Sequence, residues 1–98
     1  MNKKKIYLTG DISGLKHLIS QKFGAVEVEL MRRGHEVINP LNILPEDTTF
    51  LSVMKVLIPA MLECDEVHFL PDWRFGNTSI VEHDIASKIG MKIVYVEN

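Results

Sequence analysis

The stretch from Val67 to Glu82 gathers aromatic, charged and hydroxyl side chains into a short span: Asp72, Trp73, Arg74, Thr78, Ser79 and Glu82. A short apolar run reaches Leu70, Pro71 stops it, and helix-start residues follow at Thr78 and Ser79. Ser79 with Glu82 fits a capping box, in which the glutamate reaches back to a free backbone N–H. The helical phase supports a second reading. At about 100° per residue, Val81, Ile85, Ala86 and Ile89 form an apolar face with Glu82 within roughly 40° of its middle. His83, Asp84 and Ser87 fall on the opposite side. A carboxylate in a first helical turn, aimed at the carboxyl edge of a sheet, is placed to meet a ligand. The chemistry open to it there is nucleophilic attack or proton transfer.

Other reactive side chains in the chain have simpler readings. His17, His35, His68 and His83 show no metal-ligand spacing, and no cysteine cluster joins them, so neither a metal nor a cofactor is expected. Cys64 lies at a helix end before a buried strand and reads as structural. No Gly-x-Gly-x-x-Gly or Walker pattern occurs. Arg74 has two open readings, a bidentate partner for phosphate and a plain surface charge.

The elements that must position these residues follow from pattern. Ile6-Tyr7-Leu8 is a short buried strand ending at Thr9-Gly10, and Asp11 to Gly14 is a turn in which Gly10 and Gly14 permit tight or positive-φ backbone. Leu15 to Lys22 reads equally as loop or early helix. From Gln21 to Arg33 the spacing of Phe23, Val26 and Leu30 predicts an amphipathic helix ended by Gly34. A second strand spans His35 to Asn39, and Pro40 opens a loop running to Thr49. Phe50 to Leu62 is apolar nearly all round, which suits a fully buried helix or one covered by another subunit, and Pro59 should kink it or restart it. Glu66 to Leu70, Ser79 to Ile89 and Lys92 to Val96 read as strand, helix and strand, with Gly90 ending the helix. Strands alternating with helices predict parallel βαβ units in a four-stranded α/β sandwich.

The 98 residues suffice for one domain, 1–98, and no second core. A net charge of −2 gives no electrostatic case for a nucleic acid polymer or an anionic membrane. The most apolar segment, Val56 to Leu62, is far shorter than a membrane span. The opening Met-Asn-Lys-Lys-Lys runs straight into a strand, too briefly for a signal peptide, and the single cysteine suits a reducing compartment. A cytoplasmic location is the expectation. An apolar helix on so small a domain predicts a homodimer or a larger homo-oligomer.

The run Arg33-Gly34-His35-Glu36-Val37-Ile38-Asn39-Pro40, the segment Leu62 to Val67, and Leu70-Pro71-Asp72-Trp73 followed by Glu82, Ala86 and Gly90 resemble the nucleoside 2-deoxyribosyltransferase-like superfamily. The likeness is to its small bacterial and phage members of unknown function. Tyr7 to Gly14 is similar to that family's first strand and glycine-bounded nucleotide loop. The resemblance implies an α/β, Rossmann/flavodoxin-like three-layer sandwich with a four-stranded parallel sheet. It also implies cleavage of an N-glycosidic bond in a small-molecule nucleoside or nucleotide, or 2-deoxyribosyl transfer, with Glu82 matching the nucleophile. Such a carboxylate forms a glycosyl ester while a second group protonates the departing base.

The same resemblance assigns the rest of the site. Gly10, Asp11, Ser13 and Gly14 would cradle sugar or phosphate, with Asn39, Arg74, Thr78 and Ser79 completing the binding surface. Tyr7 and Trp73 would stack on a base, or simply pack. Two positions depart from the family pattern. Its helper Asp on the second long helix is Leu57 here, and its Ser and Gly before the glutamate are Gly76 and Thr78. Asp72 or Asp11 would then have to replace the helper, and Asp72 is the second catalytic candidate. The alternative is a binding module of the same fold that captures a nucleotide-derived ligand without turning it over. A third reading is an interaction protein assembled through the Phe50 to Leu62 helix.

Overall fold

The computed structural model describes residues 2–97. Strand β1 (Lys5–Thr9) leads through a loop to α1 (Lys16–Arg32), followed by β2 (Glu36–Ile38) and a 3-10 turn at Pro40–Asn42. Helix α2 (Phe50–Leu62), β3 (Glu66–Phe69), a second 3-10 turn (Trp73–Phe75), α3 (Asn77–Ile89) and β4 (Lys92–Tyr95) complete the chain. The strands form one parallel sheet in the order β2-β1-β3-β4. This is the α/β, Rossmann/flavodoxin-like arrangement that the alternation of strands and helices predicts.

Period-two alternation on the central strands divides the core into two layers. Ile6, Leu8 and Leu70 pack with Ile19, Phe23 and Leu30 of α1 on one face of the sheet. Tyr7, Val67 and Phe69 pack with Val53, Met54, Leu57 and Met61 of α2 and Ala86 of α3 on the other. β1 and β3 are buried on both faces, as interior parallel strands must be. That forces Glu66 and His68 inside, where Lys4 Nζ and the imidazole of His68 meet the Glu66 carboxylate at 2.6 and 2.8 Å.

Three helix details differ from the sequence expectation. α1 begins at Lys16, because Ile19 continues the Phe23, Val26, Leu30 stripe back by one turn and is buried. Leu15 supplies no side-chain cap there, which is why the start carries no signal. α3 begins at Asn77 rather than Ser79. α2 keeps Pro59 inside, in its last turn, and runs through it to Leu62, so the helix does not restart there. Gly34 and Gly90 terminate α1 and α3 in the left-handed region, at φ 92° and 83°, as expected.

With β1 joined to β2 on one side and to β3 on the other, the strand order reverses between β1 and β3. The loops leaving these two strands therefore part around a crevice at the carboxyl edge, the place where ligands bind in open α/β sheets. Everything proposed from the sequence as a site lies on or below this edge.

Candidate functional site at the strand-order reversal

Tyr7 and Thr9 occupy alternate positions of β1, so both hydroxyls project from the same face. Glu82, on the inward face of α3, meets them. The Tyr7 hydroxyl donates to Oε2 at 2.5 Å and the Thr9 hydroxyl to Oε1 at 2.6 Å. All three side chains are sealed from solvent, Glu82 at 0% exposure. The carboxyl is pushed up to about 7 by burial, which the two hydroxyl donors only partly offset. Burial and the adjacent carboxylate raise the Tyr7 phenol as well, so it stays a donor. No Lys, Arg or His ion-pairs with Glu82 among the described residues.

The capping-box reading of Ser79 and Glu82 is not what the chain adopts. Gly76 stands at the N-cap without a side-chain cap, and the Ser79 hydroxyl donates to the Trp73 carbonyl at 2.6 Å. Glu82 turns inward, as its helical phase predicts. Gly76 is glycine for closeness. A Cβ there would stand 2.5 Å from Ser79 Oγ and 2.9 Å from Asp11 Cα, so the β1 loop and the start of α3 nearly touch.

A cleft of about 380 Å³ opens above this contact. Its lining comes from the β1 loop (Asp11, Ile12, Ser13), the start of α2 (Phe50, Val53, with Thr48 before it) and the start of α3 (Asn77, Thr78, with Phe75 before it). Thr78 is one helical turn above Glu82, and Val53 one turn above Leu57, so Glu82 and Leu57 both lie a turn below the cleft. Leu57 is 1% exposed and belongs to the same core cluster as Tyr7.

The remaining sequence candidates divide into those near the cleft and those that hold the loops. Asp11 lines the cleft, and its Oδ1 accepts from both the N–H and the hydroxyl of Ser13, at 2.9 and 2.6 Å. Slight burial opposes ionisation, but these Ser13 bonds outweigh it and hold the carboxyl below its ordinary value. Gly14 adopts φ 107° in open space, the positive-φ turn the sequence allows. Gly10 instead permits close packing, because a Cβ would sit 2.9 Å from Leu70 Cβ.

Asp72 shares no hydrogen bond with Glu82, Tyr7 or Thr9 among the described residues. It accepts from Lys22 Nζ at 2.5 Å and from the Asp11 N–H at 3.1 Å, and Lys22 also donates to the Asp11 carbonyl. It therefore ties α1, the β1 loop and the β3 loop together, with Lys22 a participant the sequence reading missed. Trp73 stacks on His83 with ring centroids 3.9 Å apart, and Arg74 lies over Trp73 at 4.8 Å. Phe69 and Tyr95 join this aromatic cluster, and the Tyr95 hydroxyl shares a 2.7 Å hydrogen bond with His83. His83 is thus half-buried rather than a free surface histidine. Asn39 caps the first 3-10 turn through the Leu41 N–H and reaches Glu27, a structural task. Cys64 is buried, and burial pushes its thiol up to about 11, which disfavours the thiolate. No group of three or more His, Cys, Asp or Glu fit to hold a metal occurs among the described residues.

Thr9 is the partner that sequence inspection could have found, since strand alternation pairs it with Tyr7. What the alternation cannot reveal is which carboxyl they meet. Fold and site together define a small doubly wound α/β domain with an uncharged-to-anionic carboxyl buried beneath a polar cleft at the strand-order reversal. The chain belongs to the family described as Domain of unknown function (DUF4406), which matches residues 4–95. No curated protein and no solved structure gives a significant match.

Proposed function

We propose that the chain acts on the N-glycosidic bond of a nucleoside or nucleotide, cleaving it or transferring the 2-deoxyribosyl group, with Glu82 as the nucleophile. The observation that carries this reading is the setting of Glu82. A carboxyl sealed in the core with only hydroxyl partners and no ion pair does nothing for the fold that an apolar side chain would not do better. Raised to about 7 and placed a turn below a cleft, it has the properties of a functional group. The resemblance to nucleoside 2-deoxyribosyltransferase-like proteins supplies the reaction class. In the reaction, the Glu82 carboxylate attacks the anomeric carbon as the C–N bond breaks, and an ester to the sugar forms. Water or a second base then takes the sugar and frees the carboxylate. The departing base takes its proton from water, because Asp72 is held by Lys22 and Asp11 is held ionised by Ser13.

The start of α3 suits the anionic end of a nucleotide. It has no side-chain cap and no acidic residue in its first turn, and Thr78 lines the cleft beside it. A 5′-monophosphate is therefore the preferred form of substrate. Incubation with deoxynucleosides and their 5′-monophosphates, with free base measured by chromatography, tests the reading. Base release that falls 100-fold or more in Glu82→Gln supports it, and release unchanged in that variant overturns it.

A second reading, a binding module of the same fold, is favoured by one observation. Glu82 is wholly covered, and Leu57 fills the interior where the family's helper carboxylate would stand. Catalysis requires the floor of the cleft to open, whereas binding does not. A ligand-dependent rise in Tm without base release assigns this second reading. We further propose that the chain assembles as a homodimer or larger homo-oligomer through the outer side of α2.

A further inference from the structure

We propose that Phe50 and Phe75 form a clamp for a flat aromatic ring, so that the cleft selects ligands carrying a nucleobase rather than sugar phosphates alone. This rests on the reading of the cleft as a nucleotide site and adds to it the residues that recognise the base. The chain has four phenylalanines, and they divide cleanly. Phe23 and Phe69 are fully buried in the two core layers. Phe50 and Phe75 are 47% and 79% exposed, and both line the cleft. Exposure of single apolar side chains is ordinary, but here every exposed phenylalanine borders the same opening.

Neither ring belongs to either layer of the core. Phe75 closes the 3-10 turn whose other two residues, Trp73 and Arg74, turn to the aromatic cluster around His83. Phe75 has no part in that cluster, and neither does Phe50. Phe50 is the first residue of α2, where the Thr49 cap already satisfies the helix start by accepting the Ser52 N–H. The two rings thus reach one cleft from different elements, the start of α2 and the end of the second 3-10 turn, where Ser13 and Thr78 also line the opening. Flat rings with polar groups next to them suit a ligand that has a π-face at one end and hydrogen-bonding oxygens at the other. A cleft of about 380 Å³ lies within the ordinary range for small-molecule sites.

Calorimetric titration separates the clamp from the rest of the site. The probes are 2′-deoxyadenosine 5′-monophosphate and 2-deoxyribose 5-phosphate, each titrated into Glu82→Gln protein so that no turnover consumes the first. The nucleotide is expected to bind at least tenfold more tightly. Phe75→Ala and Phe50→Ala should each remove roughly tenfold of that preference while leaving affinity for the sugar phosphate within about twofold. Phe75→Leu should behave like Phe75→Ala, because apolar bulk without a π-face does not stack. Equal binding of the two probes, or variants that weaken both alike, overturns the clamp and leaves the nucleotide reading standing. Binding of neither probe overturns both. Both rings are exposed, so an unchanged Tm of each variant will exclude unfolding as the cause of any loss.

Discussion

Placing Glu82 in the core makes stability depend on pH in a direction opposite to that of most carboxylates. Its folded value, about 7, stands above the ordinary 4.5. Between those two values the folded chain holds a proton that the unfolded chain has released. Glu82 therefore contributes fully below about pH 4.5, and its contribution is lost as pH rises through 7, a difference on the order of 3 kcal/mol. Glu66 and Asp11, held below their ordinary values, act in the other direction and weaken the fold only as pH falls into the acid range. Urea denaturation at pH 5 and pH 8 should show the wild type losing stability at the higher pH and Glu82→Gln losing much less. Equal losses in the two proteins would mean that Glu82 ionises normally. A paired expectation concerns Thr9. Its hydroxyl lowers the Glu82 value, so Thr9→Val should raise the carboxyl's titration midpoint further, read by carbon NMR of the side chain.

At the scale of elements, the sequence and the structure agree where a pattern is repeated and part where one contact decides. The phase of α3 identifies Glu82 as inward-facing, and Ala86 one turn on is buried with it, whereas Ile89 of the same predicted face is 58% exposed near the helix end. The α3 start at Asn77 is set instead by Gly76, where backbone of two distant loops comes together, and nothing in the local sequence announces that approach. The same is true of Asp72. Its position after β3 marks it as a carboxylate on the ligand edge, but its pairing with Lys22 joins residues 50 positions apart, which no local pattern announces. Gly76 provides the test at this scale. Alanine there must displace both the Ser79 side chain and the Asp11 backbone, so Gly76→Ala should cost about 1–3 kcal/mol and weaken nucleotide binding as well. A chemical denaturation midpoint equal to wild type would show that the two loops separate freely.

For the whole molecule, the strand order was legible only as a parallel α/β class, since alternation names the units and not their neighbours. The reversal between β1 and β3 is what converts scattered candidates into one edge. The same architecture leaves one surface unexplained. α2 turns Val53, Met54, Leu57 and Met61 into the core, and its opposite stripe of Leu51, Lys55, Pro59 and Leu62 is exposed. Leu51 is 65% and Leu62 49% exposed, with a single charge between them. No helix among the described residues is long and apolar enough to cross a membrane, so this stripe is not part of a helical span. A symmetric pairing of two α2 helices would bury it, and each copy would place the stripe against its own image. Light scattering at micromolar concentration should then give a mass at least twice the 11.2 kDa of the chain. Leu51→Glu with Leu62→Glu should return it to the single-chain mass without lowering the Tm of the separated domain, because both side chains already face outward. A wild-type mass of one chain overturns the assembly, and a paired variant that remains oligomeric moves the interface to another face.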